Sequence, residues 1–365
     1  MPFHLAFSRR RGYTQLTMSM RHLCKRLVNA GLRRFGYSAM HQSELYPWQL
    51  EKRVRRAGFV ASELPAGARE YLRPDNPRLL ELEQAYAQFG GGATQAAIWT
   101  PGHVKDEEIA YFRGDNAYVW QLRAVNNNPP GWALATYYAM SVDRLGLLSR
   151  FGEDGENGEG GEDGLFGVYT FEVANRMISR DLIDSVIELN FLERHLSISA
   201  MPKLRILDIG AGYGRLAHRA AVGLDNLEAY LCTDAIAVST FLCEYYLRFR
   251  QVDGKARVAP LHEVETMLAE QPVDLAVNMY SFAECSPEAV EWWLALLKKH
   301  RVPRLMIVPN FVDADLNMRM LGDRDMSALF TKHGYKLVLT EPKYQDPIVQ
   351  RYGLEPARYF LFELA

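Results

Sequence analysis

Apolar and polar residues alternate in two different patterns along the chain. In the second half, short apolar runs are separated by stretches whose apolar residues recur at helical spacing. The apolar runs predict seven strands, LRILDIG (204–210), EAYLCTD (228–234), ARVAPL (256–261), VDLAVNM (273–279), RLMIVPN (304–310), YKLVLTE (335–341) and RYFLFEL (358–364). RLAHRAAVGL, STFLCEYYLRFR, HEVETMLAEQ and PEAVEWWLALLKKH have a helical period and lie between several of these runs. This alternation predicts a parallel, doubly wound α/β sheet.

The first part of the chain is predicted to be a mainly helical accessory region. NPRLLELEQAYAQF (76–89) has its leucines and aromatics at helical spacing, whereas NNNPPGW (126–132) is a turn cluster before the apolar stretch ALATYYAMSVDRLGLL. The aromatics of this region could line a substrate pocket, although single aromatics more often belong to a core. They are Trp99, Tyr111, Phe112, Tyr118, Trp120, Trp132, Tyr137 and Tyr138.

The stretch GEDGENGEGGEDG (152–164) separates the two parts and contains only Gly, Glu, Asp and Asn. Because it has no apolar side chain to bury, it is predicted to be a mobile linker. Its acids do not follow the register of a calcium-binding loop. The predicted domains are therefore 1–151, the linker 152–164 and an α/β domain 165–365. FEVANRMISRDLIDSVIELNFLERHL (171–196) opens the third segment as one amphipathic helix or a broken pair.

Composition limits the classes of function. A chain of 365 residues, 48% hydrophobic and 24% charged, can bury one large or two ordinary cores. A formal net charge of -2 gives no reason to expect nucleic acid or an anionic membrane as the main partner. Cys24, Cys232, Cys243 and Cys285 form no CxxC pair, which favours reduced thiols and a cytoplasmic location. No apolar run predicts a membrane span or a signal peptide.

Basic residues cluster from Arg9 to Arg56, where only Glu44 and Glu51 are acidic. Leu16, Met20 and nearby apolar residues fall close to helical spacing, so a basic amphipathic helix is predicted. It could contact an anionic membrane, a nucleic acid or a partner protein. It could equally be a solvated helix face that packs on the same chain or on a second subunit of a homo-oligomer.

A glycine-rich turn follows the first predicted strand of the α/β domain. Gly210, Gly212 and Gly214 are spaced GxGxG, two residues after Asp208, whereas a dinucleotide fingerprint would need glycine where Arg215 stands. Asp208 would also repel a pyrophosphate. This combination resembles motif I of class I S-adenosylmethionine-dependent methyltransferases. The resemblance implies a Rossmann-like seven-stranded sheet, a turn that holds the methionine portion and an acid that places its ammonium directly or through water.

The same resemblance implies contacts at the ends of the next strands. Asp234 ends the second strand, where such enzymes place an acid that accepts both ribose hydroxyls; it could instead cap the following helix. Leu261 and His262 stand where adenine is contacted, although an acid is more usual than His262. Asn278 and Met279 close the fourth strand beside the expected sulfonium. The predicted cofactor contacts are Asp208, Gly210, Ala211, Gly212, Gly214, Asp234, Ala235, Leu261, Asn278 and Met279.

A finer resemblance covers roughly the last half of the chain, from about Asp181. DIGAGYGRLAHR, CTDAIAVSTFLCEYYLRF, VNMYSFAEC and KYQDPIVQRYGLEPARYFLFEL look like the sugar O-methyltransferase family of bacterial polysaccharide and natural-product genes. VNMYSFAE is the most family-selective piece. The resemblance implies methyl transfer to a sugar hydroxyl of a saccharide or glycosylated natural product. Substrate identity usually resides in variable regions such as the first 150 residues.

An alcohol acceptor needs a base or a metal near the carboxyl ends of the fourth and fifth strands. Glu284 is the predicted general base, with Tyr280 and Ser281 as orienting groups, although Glu284 could equally start or cap the short helix around Ser286 and Pro287. His262 is a further catalytic candidate at the edge of the cofactor pocket. Oxygen ligands for Mg²⁺ could come from Asn310, Asp313, Asp315 and Asn317, but the spacing is also ordinary loop chemistry, and no metal site is predicted.

Two further functions remain open. The cofactor could serve methylation of another natural-product nucleophile, such as a nitrogen, a carboxylate or a phosphonate oxygen. The chain could also be a non-catalytic cofactor-binding protein or scaffold. A nucleic-acid methyltransferase is not predicted, because NMYSF lacks the [DN]PP[YF] tetrapeptide that receives a flipped base.

Overall fold

The computed structural model describes residues 54–55, 64–89, 92–94, 99, 103–114, 116, 118, 129–151, 162–313, 315–320, 323–355 and 357–365. The predicted basic helix, Trp120 and residues 152–161 of the predicted linker lie outside the described residues. Their predictions are therefore not addressed by the architecture that follows.

Helices make up most of the described accessory region. They are α1 (Ala68–Tyr71), α2 (Pro77–Phe89), α3 (Asp106–Ala110), α4 (Pro129–Val142) and α5 (Leu147–Arg150). The prediction of α2 is confirmed to within one residue. The predicted turn at 126–132 is wrong in its second half, because α4 already begins at Pro129. Proline suits a first helical turn, where its missing N–H has no intrahelical partner.

A small antiparallel sheet precedes the next helix. It consists of β1 (Val54–Arg55), β2 (Thr170–Val173) and β3 (Arg176–Ser179), in the order β1-β2-β3. The helix predicted from 171 is therefore wrong over its first nine residues. Ala174 and Asn175 turn the chain with φ of 52° and 61°, the two positive values that join twisted strands in a tight hairpin. Helix α6 (Arg180–Leu196) begins only after Ser179, whose hydroxyl accepts the N–H of Leu182.

A seven-stranded sheet forms the centre of the fold. The remaining strands are β4 (Leu204–Ile209), β5 (Leu227–Thr233), β6 (Ala256–Val258), β7 (Leu275–Met279), β8 (Arg304–Val308), β9 (Phe311–Val312), β10 (Met318–Met320), β11 (Arg324–Asp325), β12 (Tyr335–Pro342) and β13 (Arg358–Leu364). The large sheet has the order β12-β13-β8-β7-β4-β5-β6. All seven predicted strands are in it, although β13 is antiparallel to both neighbours. It follows β12 and pairs beside it, so the chain reverses without a crossover.

Helices separate most of these strands, as the sequence predicts. They are α7 (Arg215–Gly223), α8 (Ala237–Phe249), α9 (Val264–Glu270), α10 (Pro287–Lys299), α11 (Ser327–Lys332) and α12 (Pro347–Tyr352). The fold is thus a Rossmann-like, doubly wound α/β fold with helical additions. Strand order reverses between β4 and β7, and open α/β sheets bind ligands at the carboxyl ends of the strands beside such a point. Among the described helices, none combines the length and apolarity that crossing a membrane requires.

The accessory helices share a core with the α/β sheet. The Tyr86 hydroxyl of α2 lies 2.7 Å from the Thr240 hydroxyl of α8, and both are buried. Tyr86 also accepts the backbone N–H of Leu261 at 3.0 Å. Near the start of the region, the Tyr71 ring stacks on Phe241 at 5.5 Å between centroids. The contacts continue the interior of the sheet domain into the accessory region.

The last residues of the predicted linker are packed rather than free. Glu162 is 6% exposed, accepts a hydrogen bond from the Ser179 hydroxyl at 2.7 Å and pairs with Arg113 at 2.8 Å. It also contacts Arg219, while Asp163 pairs with Arg113 at 2.8 Å. The prediction that this stretch has nothing to bury is therefore wrong at Glu162. A carboxylate can be buried where guanidinium groups neutralise it.

Replacing Glu162 with Gln is expected to lower the free energy of unfolding by about 3–5 kcal/mol, because buried guanidinium groups lose their counter-charge. Burial opposes ionisation, but Arg113 and Arg219 lower the pKa of Glu162 below its ordinary value of 4.5. Its contribution is therefore complete above pH 4.5 and is lost as the pH falls towards the lower folded-state pKa. Urea unfolding of the wild-type and Glu162→Gln proteins, at neutral pH and at several values below pH 4.5, measures this difference in stability. Glu228→Gln, which breaks a more exposed ion pair with Arg205, should change stability by less than about 1 kcal/mol.

Candidate functional site

A cleft opens at the carboxyl ends of β4 and β7, where the strand order reverses. Four segments contribute most of its lining: the glycine-rich turn (208–213 and 215–216), 234–236 after β5, the turn after β7 (279–282 and 284–285) and the start of α6. Trp99 and Tyr118 of the accessory region line it as well, together with Ser239, Trp293, Asn310 and Glu355. Gly214, a predicted cofactor contact, is not among the described lining residues. The position agrees with the expectation for a doubly wound sheet.

The glycine turn requires glycine for two separate reasons. Gly210, Gly212 and Gly214 have φ of 72°, 56° and 85°, a region that other residues rarely adopt. Space is also absent, because a Cβ at Gly210 would overlap the Ser281 side chain and one at Gly214 would lie 2.8 Å from Cys243 Sγ. The turn therefore presents bare backbone to the cleft, together with Ala211, which also lines it.

Asp208 lies near the end of β4 and lines the cleft while only 3% exposed. Its carboxylate accepts a hydrogen bond from the Tyr230 hydroxyl at 2.9 Å. Burial raises the pKa of Asp208 to about 7, although Tyr230 opposes the rise. A buried carboxylate of this kind is ionised most easily beside a positive group, so it is suited to a cationic part of a ligand.

Asp234 follows the end of β5 and faces the glycine turn. Oδ2 accepts the N–H of Gly212 at 3.1 Å, and Oδ1 accepts the N–H of Ile236 at 2.9 Å. Burial raises the pKa of Asp234 to about 7, and the backbone N–H groups of Ile236, Gly212 and Ala235 oppose the rise. The alternative role as cap of α8 is not observed, because α8 starts at Ala237 with no side-chain cap. Each oxygen retains a lone pair for a ligand hydroxyl, and Ala235 lines the cleft beside it.

Glu284 lies across the cleft, in the short turn after β7. Trp99 donates its indole N–H to Oε2 at 2.6 Å, and Asn310 donates its amide to Oε1 at 2.9 Å. Burial raises the pKa of Glu284, and these two donors oppose the rise. The alternative role at the start of α10 is not observed, because Ser286 is the cap and accepts the N–H of Ala289. The carboxylate is therefore oriented by two donors and lines the cleft.

Tyr280 and Met279 also line the cleft at the end of β7. Tyr280 has a φ of 69°, and its buried hydroxyl has no hydrogen-bond partner among the described residues. Burial raises its pKa well above the ordinary value, and the negative charges of Asp184 and Glu188 raise it further. Tyr280 is therefore a hydrogen-bond donor rather than a base at neutral pH.

Asn278 and Ser281 connect the end of β7 and the turn after it to the end of β4. Asn278 is fully buried and does not line the cleft; its amide donates to the carbonyl of Ile209 at 2.8 Å and to Ser281 Oγ at 2.5 Å. Asn278 Oδ1 accepts the N–H of Phe282 at 3.1 Å. These bonds fix the end of β7 against the end of β4, so Asn278 positions the glycine turn.

Leu261 and His262 lie outside the described lining of the cleft. Leu261 is buried, and its backbone N–H donates to the Tyr86 hydroxyl. His262 Nε2 lies 3.2 Å from a Glu263 carboxylate oxygen, and its ring meets the edge of Tyr86 at 6.0 Å. The structure shows both residues packed against Tyr86 of α2. Adenine binding by Leu261 and His262, and catalysis by His262, stay predictions.

The oxygen-rich segment after β8 does not form the suggested magnesium site. The Asp313 carboxylate accepts from Arg319 Nε at 2.8 Å and from the backbone N–H groups of Asp315 and Asn317, each at 2.9 Å. Asn310 is turned towards Glu284 instead. These bonds hold a hairpin of β9 and β10, where the sequence predicts only a loop. Within the described ranges, no group of three or more His, Cys, Asp or Glu is placed to hold a metal.

Sequence reasoning missed the charged start of α6. Arg180, Asp181 and Asp184 line the cleft, and Asp181 accepts a hydrogen bond from the Tyr213 hydroxyl. They escaped notice because charges on an amphipathic helix are normally assigned to solvent. A signal was present, since these charges recur on one helix face immediately before the first strand of the sheet.

Of the seven accessory aromatics that the structure describes, Trp99 and Tyr118 line the cleft. Trp99 binds Glu284, and Tyr118 places its hydroxyl 3.1 Å from Ser239 Oγ, with its ring beside Gly212. Phe112, Trp132 and Tyr138 are buried in the core. The sequence alone did not distinguish pocket aromatics from core aromatics.

Comparisons with known proteins give structural likenesses only. No protein-family model matches the chain, and no curated protein sequence matches it. Magnesium protoporphyrin IX methyltransferase of Synechocystis PCC 6803, solved with bound SAM, is 12% identical with a TM-score of 0.36, covering 51% of this chain and 83% of its own. The [4+2]-cyclase SpnF is 15% identical with a TM-score of 0.35, covering 50% and 82%. M. capricolum TrmK, solved with S-adenosyl-homocysteine, is 11% identical with a TM-score of 0.31, covering 47% and 67%.

Proposed function

We propose that this protein is an S-adenosylmethionine-dependent methyltransferase that acts on a sugar hydroxyl of a saccharide or glycosylated natural product. The observation that carries the proposal is the arrangement of two buried carboxylates and one half-buried carboxylate around one glycine turn. Asp234 faces the turn from β5, Asp208 lies at its start, and Glu284 lies across the cleft. In this proposal Asp234 accepts the two ribose hydroxyls of the cofactor and Asp208 binds its ammonium. Glu284 accepts the proton of the acceptor hydroxyl.

The residues present fit the cofactor. Asp234 retains one lone pair on each oxygen for the two ribose hydroxyls, after its bonds to Gly212 and Ile236. Asp208 is a buried carboxylate in need of a positive neighbour, which the ammonium of the methionine portion provides. The backbone of Gly210 and Gly212 lines the cleft beside these two carboxylates. Met279 lines the same cleft next to Glu284, where the methyl group would be presented.

Glu284 is the proton acceptor in this proposal. When bound, the cofactor supplies a methyl group on a positively charged sulfur. The Glu284 carboxylate would accept the proton of the acceptor hydroxyl as the oxygen of that hydroxyl takes the methyl group from the sulfur. Trp99 and Asn310 hold this carboxylate in one orientation, which favours in-line approach. No step depends on a metal.

The chemistry around Glu284 supports a sugar as acceptor. An indole ring, a carboxylate and a primary amide lie together at Trp99, Glu284 and Asn310. The flat ring suits the apolar face of a pyranose, and the polar groups suit its hydroxyls. A nitrogen, carboxylate or phosphonate oxygen acceptor would use the same cleft, and a binding protein without activity would use only its cofactor end.

A transfer assay tests the proposal directly. Methyl-deuterated S-adenosylmethionine is incubated with sugars, glycosides, nucleotide-sugars and small amines, with and without Mg²⁺, and products are read by mass spectrometry. Label on a sugar hydroxyl in both conditions is expected. Label on a different nucleophile would overturn the sugar assignment, and cofactor binding without any transfer would favour a binding protein. Strict dependence on Mg²⁺ would contradict a reaction driven by Glu284 alone.

Replacing Trp99 with Phe is expected to move the acidic limb of the kcat/KM profile to higher pH. The substitution removes the indole N–H that stabilises the ionised carboxylate, so the already raised pKa of Glu284 rises further. Because the base acts in its ionised form, activity then begins at a higher pH. Trp292→Phe, at a tryptophan that packs on Phe89 and does not itself line the cleft, is the control. An acidic limb unchanged by Trp99→Phe would mean that Trp99 does not control the base.

A further inference from the structure

Arg180 is a buried cation in the cleft lining, held by a carboxylate that is itself more exposed. It is the first residue of α6 and is 8% exposed. Its guanidinium contacts the carboxylate of Glu355, which lies in the segment between α12 and β13 and also lines the cleft. The Glu355 side chain is 36% exposed. An ion pair with one member near solvent is the kind that a ligand can exchange.

The start of α6 lies against the end of the glycine turn. The Tyr213 hydroxyl donates to Asp181, and Arg215 Nη1 donates to Ser185 Oγ at 2.9 Å. Arg180 precedes Asp181 in the chain, so it lies on the side of the cleft formed by the end of the glycine turn. Asp208, at the start of the same turn, lines the cleft with it.

Two of the described residues that line the cleft are cations, Arg180 and Arg215. Arg215 is committed to Glu188 through two hydrogen bonds of 2.8 and 3.1 Å, and the Glu188 side chain is fully buried. Breaking this pair would leave a buried charge without a partner. Arg215 is therefore unsuited to exchange its carboxylate for one from a ligand.

Arg180 is better suited to that exchange. Its other carboxylate neighbour, Asp184, lies 3.3 Å away and is also bound by the buried Lys343 at 2.5 Å. Asp184 thus keeps a counter-charge in Lys343 when Arg180 binds another group. Glu355, the more exposed of the two carboxylates, is the partner that a ligand can displace.

We propose that Arg180 binds the carboxylate of the amino-acid end of the cofactor, and that Glu355 occupies Arg180 until this carboxylate displaces it. The inference rests on the proposed function. The ammonium and carboxylate of an amino acid share one carbon, so a group that places its ammonium on Asp208 needs a cation close by. A guanidinium suits this task because it binds a carboxylate through two parallel hydrogen bonds.

The test compares two ligands that differ only in the amino-acid end. S-adenosylhomocysteine carries it, whereas 5′-methylthioadenosine keeps the nucleoside and the sulfur without it. Calorimetric titration of full-length Arg180→Gln should show about 10- to 100-fold weaker binding of S-adenosylhomocysteine and unchanged binding of 5′-methylthioadenosine. Glu355→Gln should bind S-adenosylhomocysteine several-fold more tightly, and this gain should vanish in the double variant Arg180→Gln/Glu355→Gln.

Controls come from the other end of the same helix. Arg194 of α6 pairs with Glu341, and neither lines the cleft. Arg194→Gln and Glu341→Gln should leave the affinities for both ligands unchanged. If Arg180→Gln does not fold, Arg180→Lys retains the charge and should show a smaller loss confined to S-adenosylhomocysteine.

The outcomes separate this inference from the proposed function. Equal weakening of both ligands, or no weakening of either, would overturn the role of Arg180. An unchanged or weakened affinity in Glu355→Gln would overturn the role of Glu355 as the displaced group. If the wild-type protein binds neither ligand, the proposed function itself fails and the inference fails with it.

Discussion

Replacing Glu284 with Gln is expected to lower kcat about 10²- to 10⁴-fold, the usual loss when a general base is removed. Gln has nearly the same shape but cannot accept the proton of the attacking hydroxyl. The cofactor dissociation constant should not change, because Asp208 and Asp234 lie at the other side of the cleft. Steady-state kinetics and calorimetric titration measure the two quantities separately.

The pH profile gives a second measure of Glu284. Burial raises the pKa of this carboxyl, so the acidic limb of wild-type kcat/KM should lie above the ordinary glutamate value of 4.5. That limb should disappear in Glu284→Gln. Glu288→Gln is a matched control in the first turn of α10, where Glu288 is exposed. Undiminished turnover in Glu284→Gln would eliminate Glu284 as the base.

Replacing Asp234 with Ala is expected to weaken cofactor binding about 10²- to 10⁴-fold. A hydrogen bond to a charged group contributes about 1.5–3 kcal/mol, and the carboxylate is expected to accept one from each ribose hydroxyl. The substitution also removes the acceptor for the Gly212 N–H, so the glycine turn loses a fixed contact. Equilibrium titration with S-adenosylhomocysteine measures the loss.

Binding should also depend on pH through this residue. Burial raises the pKa of Asp234 to about 7 in the free protein, and the ionised form accepts both hydroxyls. Affinity is therefore expected to fall as the pH drops below about 7, and Asp234→Asn should lose the Asp234 part of that dependence. Asp225→Asn, near the opposite end of β5 and highly exposed, is the control. An Asp234→Ala protein with wild-type affinity would exclude ribose binding at this position.

Local patterns were sufficient to predict the sheet and the glycine turn. Strand identity depends on short apolar runs, and the turn depends on residues adjacent in sequence, so Asp208 and Asp234 are both found at the ends of their strands. The same reasoning was less successful at Asn278. Successive residues of a strand point to opposite faces, so Met279 lines the cleft while Asn278 binds β4.

Features that depend on distant residues were not predicted. The hairpin turn at Ala174 and Asn175 lacks the glycine that normally marks such turns. Glu162 is buried only because Arg113 and Arg219 meet it from elsewhere in the chain. Its neighbours in sequence gave no indication of either partner. Buried charges are therefore the feature of this fold that composition and periodicity predict least well.

The buried charges of helix α6 limit which amino-acid substitutions the protein tolerates. All of its residues from Arg180 to Leu192 are buried, and two of its acids pair with cations from other segments, Asp184 with Lys343 and Glu188 with Arg215. A single substitution at either partner leaves an uncompensated charge, so neutral drift here requires paired replacements. Trp99 and Tyr118 carry no formal charge that must be balanced. New acceptor preferences should therefore arise through these aromatics, and a mutant library for altered specificity would begin there.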